Sequence, residues 1–354
     1  MRIILSGGGT GGSVTPVLAV AEEIKKKYPT AEFLLIGTRS GKPEKEMSQN
    51  HQIVFKGIWC GKLRRYFSFK NIIDLFLIII GFFQSIFIIS RFKPQAVFSA
   101  GGFVAVPISF AAWFCRAPVF IHQQDIVPGL ANKIIAPIAK KITVSFEESL
   151  KDYPKNKAIL TGNPIRQEIL KGNKQRAIEK FGLEKDYPVL LIVGGGTGAL
   201  AVNQIIFKII SELSEFCQII HLTGREKSKG IEIKNKRYHQ YEFLSQEMAD
   251  AFCIADLVVS RAGLGVLTEL AALSKPTILI PIPNSHQQAN ANYFFKKGAA
   301  VVLNQETLTQ ENFINQIKNL LQSQNELEKL KQNISQLSQI ESGKKISEII
   351  LGEV

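Results

Sequence analysis

Three stretches of this chain carry residue types that could do chemistry. The first is Ser6-Gly7-Gly8-Gly9-Thr10-Gly11-Gly12-Ser13, set between the strand-like Ile3-Ile4-Leu5 and Thr15-Pro16, which opens an apolar run. Glycines let the backbone take positive φ and come close to a ligand. A helix starting at Pro16, with Thr15 as its cap, would aim unpaired N–H groups at an anion. Phosphate or pyrophosphate is the natural guest, and a tight structural turn is the alternative. The loop fits neither Gly-x-Gly-x-x-Gly with an acidic residue about 20 positions on nor Gly-x-x-x-x-Gly-Lys-Ser/Thr. Glu32 is the nearest candidate for a dehydrogenase's ribose carboxylate, and no hydride chemistry accompanies it. The second stretch, Gly194-Gly195-Gly196-Thr197-Gly198-Ala199, follows the strand-like Val189–Val193 and echoes the first. The third runs from Ser260-Arg261-Ala262-Gly263-Leu264-Gly265-Val266 to Glu269, a small-residue turn opening a helix. Glu269 lies one turn beyond Gly265 on the same face, where a carboxylate could accept both hydroxyls of a ribose. Pro281-Ile282-Pro283-Asn284-Ser285-His286-Gln287-Gln288 adds amide and imidazole donors suited to sugar hydroxyls.

Such loops need parallel sheets to present them. Strand-like runs at Ile3–Leu5, Glu32–Gly37, Ile53–Gly57, Ala96–Ser99, Val119–His122 and Ile142–Ser145 alternate with helical stretches. After Gly162-Asn163-Pro164 a second series follows: Val189–Val193, Gln218–Leu222, Tyr241–Leu244, Leu257–Ser260, Thr277–Pro281 and Ala300–Leu303. The pattern predicts an α/β protein of two Rossmann-like, doubly wound halves, with ligands beyond the carboxyl ends of the strands in a cleft between them. The expected domains are residues 1–161 and 162–337, with a helix at about 338–354 packing back on the first. The tail beyond Leu303 reads as surface helices.

The 354 residues carry a net charge of +13, with 45% hydrophobic and 21% charged residues, a globular balance that favours an acidic partner. Cys60, Cys115, Cys217 and Cys253 have no metal-ligand or disulfide spacing. Arg2 before a strand-like run is not the start of a signal peptide, and a cytosolic setting is expected. Residues 72–89 are apolar enough to suggest a membrane span, but they lie between two strands of one sheet and are interrupted by Asp74, Gln84 and Ser85. They therefore predict a crossover helix with an exposed apolar face. Trp59, Arg64, Arg65, Phe67, Phe69 and Lys70 precede it, and Phe76 and Phe83 lie on it. This mixture suits peripheral docking on anionic headgroups; a covering helix or a dimer partner is the alternative. Nucleic-acid binding is disfavoured, because no matching motif accompanies the basic residues.

Gly8-Gly9-Thr10-Gly11-Gly12, Gly101-Gly102, His122-Gln123-Gln124, Gly129-Leu130-Ala131-Asn132, Gly162-Asn163-Pro164-Ile165-Arg166, Ser260-Arg261-Ala262-Gly263, Glu269 and His286-Gln287, in this order along essentially the whole chain, resemble the MurG family of peptidoglycan GlcNAc transferases. The resemblance implies the GT-B fold. It implies inverting transfer of GlcNAc from UDP-GlcNAc to O4 of the MurNAc sugar of lipid I, giving lipid II at the inner face of the cytoplasmic membrane, with no metal or cofactor. By motif, Glu269 would hold the ribose, Leu244 the uracil, Arg166 and the loop at Gly196 and Thr197 the diphosphate, and Gln287 and Gln288 the sugar. Gly263, Leu264, Gly265 and Val266 would line the donor, with Thr10, Gly11, Gly12 and Asp125 reaching it from the first half. Gly8, Gly9, Thr10, Gly11, Gly12, Gly101 and Gly102 would receive the acceptor's pyrophosphate.

Two departures bear on mechanism. Ser13 stands where the family has a histidine, and a serine cannot replace a general-base imidazole at neutral pH. The family's His-Glu-Gln-Asn is here His122-Gln123-Gln124-Asp125. Asp125 is the candidate base, with a turn cap or an acceptor contact as its alternative role; His122, in the same motif, is expected to be held by its neighbours at a strand end. Competing readings are a related GT-B enzyme with another lipid acceptor, and a membrane protein that binds a nucleotide sugar without catalysis.

Overall fold

The computed structural model describes residues 1–9, 11–61, 70–194, 198–227 and 233–354, with the side chains of residues 70–72 excepted. Within these, the chain divides into two compact units, Met1–Ile165 with Gln339–Val354, and Arg166–Ser338.

In the first unit, β1 (Arg2–Ser6), α1 (Thr15–Lys27), β2 (Glu32–Thr38), α2 (Glu44–Asn50), β3 (Val54–Ile58), α3 (Lys70–Phe92), β4 (Ala96–Ser99), α4 (Ala105–Phe114), β5 (Val119–Gln123), α5 (Leu130–Ile135), β6 (Lys141–Val144) and β7 (Ala158–Leu160) alternate. The strands pair in parallel in the order β3-β2-β1-β4-β5-β6-β7. The second unit repeats the scheme with α6 (Lys174–Phe181), β8 (Val189–Val193), α7 (Leu200–Leu213), β9 (Gln218–Leu222), β10 (Tyr238–Tyr241), α8 (Met248–Ile254), β11 (Leu257–Ser260), α9 (Leu264–Ala272), β12 (Thr277–Leu279), α10 (His286–Lys296), β13 (Val301–Val302), α11 (Gln310–Gln322) and α12 (Gln324–Ser335). Its parallel sheet runs β10-β9-β8-β11-β12-β13. Finally α13 (Ser342–Leu351) returns to the first unit, where Ile346 and Ile350 are buried with Val17, Val20 and Ile24 of α1.

Continuous apolar runs such as Ile3-Ile4-Leu5 and Leu190-Leu191-Ile192 suit these central strands, because helices cover both sheet faces and leave no solvent side. Strand order reverses between β1 and β4 and again between β8 and β11. In doubly wound sheets ligands bind outside the strand ends at such switch points, and here all four loops leaving these strands are glycine-bearing.

Two local expectations are corrected and one strand is new. Helix α1 begins at Thr15 with Val14 as N-cap and no side-chain cap; the Thr15 hydroxyl donates instead to the Gly11 carbonyl at 3.1 Å. The strand expected at Tyr241–Leu244 is Tyr238–Tyr241, set in register where Tyr238 pairs with Ile219 and its hydroxyl meets His221 Nδ1 at 2.9 Å. Strand β7 was not anticipated: it is three residues long, half exposed, and sits at the sheet edge.

Candidate functional site

In the first unit, the loop after β1 and the loop after β4 touch at the switch point. A Cβ on Gly102 (φ +88°) would lie 2.7 Å from the Gly8 carbonyl oxygen, and one on Gly7 would lie 2.5 Å from that of Ser13. Glycine is therefore enforced at both positions by backbone packing. The Gly8 N–H donates to Ser13 Oγ at 3.0 Å, and the Gly9 N–H to Glu44 Oε1 at 2.9 Å. The Gly101 N–H donates to Ser99 Oγ at 3.1 Å. Three of the amides expected to receive pyrophosphate are thus held by side chains of the unit itself. Ser13, buried, ties the loop together, a role that needs only a small hydroxyl. Glu44 escaped the sequence reading. The signal was Thr38-Arg39-Ser40-Gly41 at the end of β2, a further small-residue turn at the same edge of the sheet.

His122 stands at the end of β5, fully buried. Its Nε2 meets Asn163 Oδ1 at 3.1 Å and its Nδ1 meets Thr143 Oγ1 at 2.9 Å, a pattern that suits the neutral ring. Burial pushes its pKa down to about 4, against hydrogen bonds to Asn163 and Thr143 that act the other way. With both nitrogens engaged and no exposed edge, His122 fastens the strand end, the place expected for it, and is not available to the surface as a base. Gln123 supplies both donor and acceptor to the next turn. Its Nε2 donates to the carbonyls of Asp125 (2.7 Å) and Val127 (3.2 Å), while its Oε1 accepts from Asn132 Nδ2 (2.7 Å) and Tyr153 OH (3.0 Å). A carboxylate at 123 could not make the two donations. The turn carrying half-buried Asp125 is fixed by this amide.

In the second unit the structure brings together two residues that the sequence assigned to different parts of one ligand. Arg166 Nε donates to Glu269 Oε1 at 2.7 Å and Arg166 Nη2 to Oε2 at 3.0 Å, a bidentate fork on a carboxylate whose side chain is 5% exposed. Burial opposes the guanidinium charge, but the charge and hydrogen bonds of Glu269 outweigh it and hold the Arg166 pKa above its usual value. Beside Glu269, Gly263 caps α9 in extended conformation, and a Cβ there would meet only Gln287 Nε2, at 4.0 Å; on Gly265 it would meet nothing within 4 Å. Internal packing does not demand these two glycines, so the open surface they leave is available to a ligand. Leu264 is buried and Val266 half-buried on this helix, and Leu244 is buried between β10 and α8. The Gln287 N–H donates to Ser285 Oγ, the cap of α10, while Gln287 Oε1 accepts from the Ile282 N–H at 3.2 Å; Gln288 is exposed. Two further residues fasten this end of the sheet. Buried Arg261 donates to the carbonyls of Ile280 (2.8 Å) and Pro281 (3.3 Å) and to Gln305 Oε1 (2.6 Å), and Asn290 Nδ2 donates to the Ala262 carbonyl at 3.1 Å. Arg261 lay inside the quoted motif, and Asn290 at the end of the run of amide donors that begins at Pro281, but neither was given this fastening role.

Helix α3 crosses from the edge strand β3 to β4 and packs on α4. Ile88 and Ile89 face the core, whereas Ile73, Leu75, Phe76, Ile79, Ile80, Phe83 and Phe87 are exposed, Phe76 and Phe83 at 64%. Arg91 stacks on Phe87 at 4.7 Å and Arg39 on Trp59 at 3.8 Å, so cations border the apolar face.

The sequence matches the glycosyltransferase family 28 N-terminal domain over residues 3–144 and the glycosyltransferase family 28 C-terminal domain over residues 189–347. It is 42% identical over 323 residues, 90% of this chain and 91% of the relative, to the UDP-N-acetylglucosamine--N-acetylmuramyl-(pentapeptide) pyrophosphoryl-undecaprenol N-acetylglucosamine transferase of Clostridium kluyveri. The chain belongs to the MurG family of glycosyltransferases. The transferase of the same name from Lachnospira eligens is 41% identical over 90% of each chain. The crystal structure of Acinetobacter baumannii MurG shares the fold, with a TM-score of 0.75, 24% identity and 99% of both chains covered. The GT-B class expected from the motifs is thereby borne out.

For this MurG-family chain, Thr10, Arg64, Arg65, Phe67, Phe69, Gly196 and Thr197, together with the Lys70 side chain, lie outside the described residues. Among the described residues no group of three His, Cys, Asp or Glu side chains is placed to hold a metal ion.

Proposed function

We propose that the protein transfers GlcNAc from UDP-GlcNAc to the lipid-linked MurNAc-pentapeptide acceptor, forming lipid II with inversion at the anomeric carbon. The observation that carries this reading is 42% identity over nine-tenths of the chain to a relative named for that transfer. In the second unit, Glu269 accepts the ribose hydroxyls, Arg166 and the loop at Gly196 and Thr197 face the diphosphate, Leu244 presents backbone to uracil, and Gln287 and Gln288 read the sugar. The open faces of Gly263 and Gly265 support this placing of the nucleotide. Displacement at an anomeric carbon needs positive field on the leaving diphosphate, for which Arg166 and the N-terminus of α9 are suited. In the first unit the pyrophosphate falls to Gly11, Gly12 and Gly102, since the N–H groups of Gly8, Gly9 and Gly101 are engaged by side chains. Incubating the purified protein with lipid I and UDP-GlcNAc, and resolving lipid II from lipid I, tests the reading; no lipid II with release of UDP on another lipid overturns it.

The acceptor hydroxyl needs a base, and with Ser13 tied to the loop and His122 buried, Asp125 is the titratable side chain of these motifs that retains solvent access. Asp125→Asn keeps the turn, since Gln123 holds the backbone carbonyl. It is expected to lower kcat by about 10²–10³-fold with the UDP-GlcNAc KM unchanged; wild-type turnover in a steady-state assay rules the role out.

The exposed face of α3 suits peripheral docking on an anionic bilayer, where the acceptor's lipid is anchored. Phe76→Asp combined with Phe83→Asp is expected to cut sedimentation with anionic vesicles about tenfold or more, since each aromatic side chain contributes about 1.5–3 kcal/mol when buried. Turnover of a short-chain soluble acceptor is expected to persist.

A further inference from the structure

The first unit buries a carboxylate directly under its glycine loop. Glu44 is 0% exposed. Its Oε1 accepts from the Gly9 N–H at 2.9 Å and from Thr38 Oγ1 at 2.8 Å, and Ser40 Oγ lies 3.0 Å from that same hydroxyl. Its Oε2 is buried and has no hydrogen-bond partner among the described residues. A buried carboxyl group with one oxygen unsatisfied costs free energy, which calls for a compensating role. The geometry around it indicates what that role is. A Cβ on Gly8 would approach Glu44 Oε1 to 2.7 Å, so the loop drapes over the carboxylate as closely as a glycine allows. Gly9 is held at φ +88°, a conformation that the carboxylate's hydrogen bond to its N–H stabilises from beneath. Ser13 Oγ takes the neighbouring Gly8 N–H at 3.0 Å, and the same hydroxyl faces the Gly8 carbonyl at 3.4 Å.

We propose that Glu44 and Ser13 are positioning residues for the acceptor side: they clasp Gly8 and Gly9 from inside, and so fix the turn at Gly11 and Gly12 in the arrangement that meets the acceptor's pyrophosphate. The inference rests on the transfer reading for its substrate, but the clasp is a property of the unit alone. It also gives Ser13 a purpose in place of the family's histidine, as the second jaw of the clasp.

Two readouts on the full-length protein test it. With glycine-selective 15N labelling, Glu44→Ala is expected to speed hydrogen exchange at Gly9, and Ser13→Ala at Gly8, by about tenfold each, the loss of one buried hydrogen bond. In steady state, Glu44→Ala is expected to raise the KM for the lipid-linked acceptor about tenfold while leaving the KM for UDP-GlcNAc within about twofold, and Glu44→Gln, which keeps Oε1, to recover most of the difference. If Glu44→Ala does not fold, Thr38→Val removes the hydroxyl that holds Oε1 and is expected to move the same Gly9 exchange and acceptor KM in the same directions. Unchanged exchange at Gly9, or equal rises in both KM values, overturns the proposal. Absence of wild-type turnover on lipid I defeats the transfer reading instead, and the exchange measurement then decides the clasp without it.

Discussion

Glu269→Gln is expected to lower kcat/KM for UDP-GlcNAc by about 10²–10³-fold, with the acceptor KM unchanged. The carboxylate receives both arms of the Arg166 fork, at 2.7 and 3.0 Å, and each oxygen keeps a second lone pair for a ribose hydroxyl. The fork thus presets the orientation that two hydroxyls need, without using up the acceptors. On the proposed ribose contacts, glutamine removes the charge that would strengthen both bonds, each of about 1.5–3 kcal/mol when an ion takes part. It also turns an amide N–H₂ toward one guanidinium arm, so the pre-set orientation is lost together with the charge. Arg166→Ala acts from the other side. It leaves a nearly buried carboxylate without its cation, which is expected to cost about 3 kcal/mol of stability in the second unit by denaturant titration. Arg166→Ala/Glu269→Ala is expected to be more stable than Arg166→Ala alone, because no orphan charge remains. UDP affinity by calorimetry separates the two roles: a Glu269→Gln protein that binds UDP within threefold of wild type would sink the ribose assignment.

How far these features were legible in the sequence depends on the range of the interaction that made them. The doubly wound sheets were legible because continuous apolar strands and intervening helical periodicity are local signals, and four central strands, Ala96–Ser99, Val189–Val193, Gln218–Leu222 and Leu257–Ser260, match the expected bounds. Where a long-range contact set the register the reading slipped: β10 is placed by Tyr238 against His221, seventeen positions away, and not by its own most apolar residues. The glycine loops were legible as loops, but their division into packed and open glycines was not. Gly7, Gly8 and Gly102 are enforced by backbone or carboxylate oxygens within 2.7 Å of a Cβ, whereas Gly263 and Gly265 face space, and sequence alone treats them alike. Glu44 went unread because it reaches the loop across thirty-five residues, and the small-residue turn before it does not say where its carboxyl goes. The Arg166–Glu269 pair spans 103 positions; both members were singled out, but for separate contacts with the ligand.

Between pH 6.5 and 4 the protein is expected to lose stability in both units, through His122 in the first and His221 in the second. Burial lowers the pKa of His122 to about 4 and that of His221 to about 3, while in the unfolded chain each titrates near its ordinary 6.5. As pH falls below 6.5 the unfolded state therefore takes up protons that the folded state refuses, so the stability present above that pH is withdrawn down to the folded pKa. At 1.36 kcal/mol per pH unit, each histidine withdraws about 3 kcal/mol by pH 4. His239, also lowered by burial, acts in the same direction. The window separates this effect from carboxylate titration. Asp250, whose hydrogen bond from Arg176 holds its carboxyl below the usual range, gives up its contribution only as pH falls through 3.8 and lower. Urea titrations at pH 7, 5.5 and 4 are expected to show the loss, and His122→Gln and His221→Gln each to flatten the slope while lowering stability at pH 7. An unchanged slope in His122→Gln removes that residue from the account. His122 and its partners Thr143 and Asn163 also hold the end of β5 from which Gln123 fixes the turn bearing Asp125. Protonating that imidazole is expected to weaken these contacts and so to loosen the turn that bears the proposed base, Asp125.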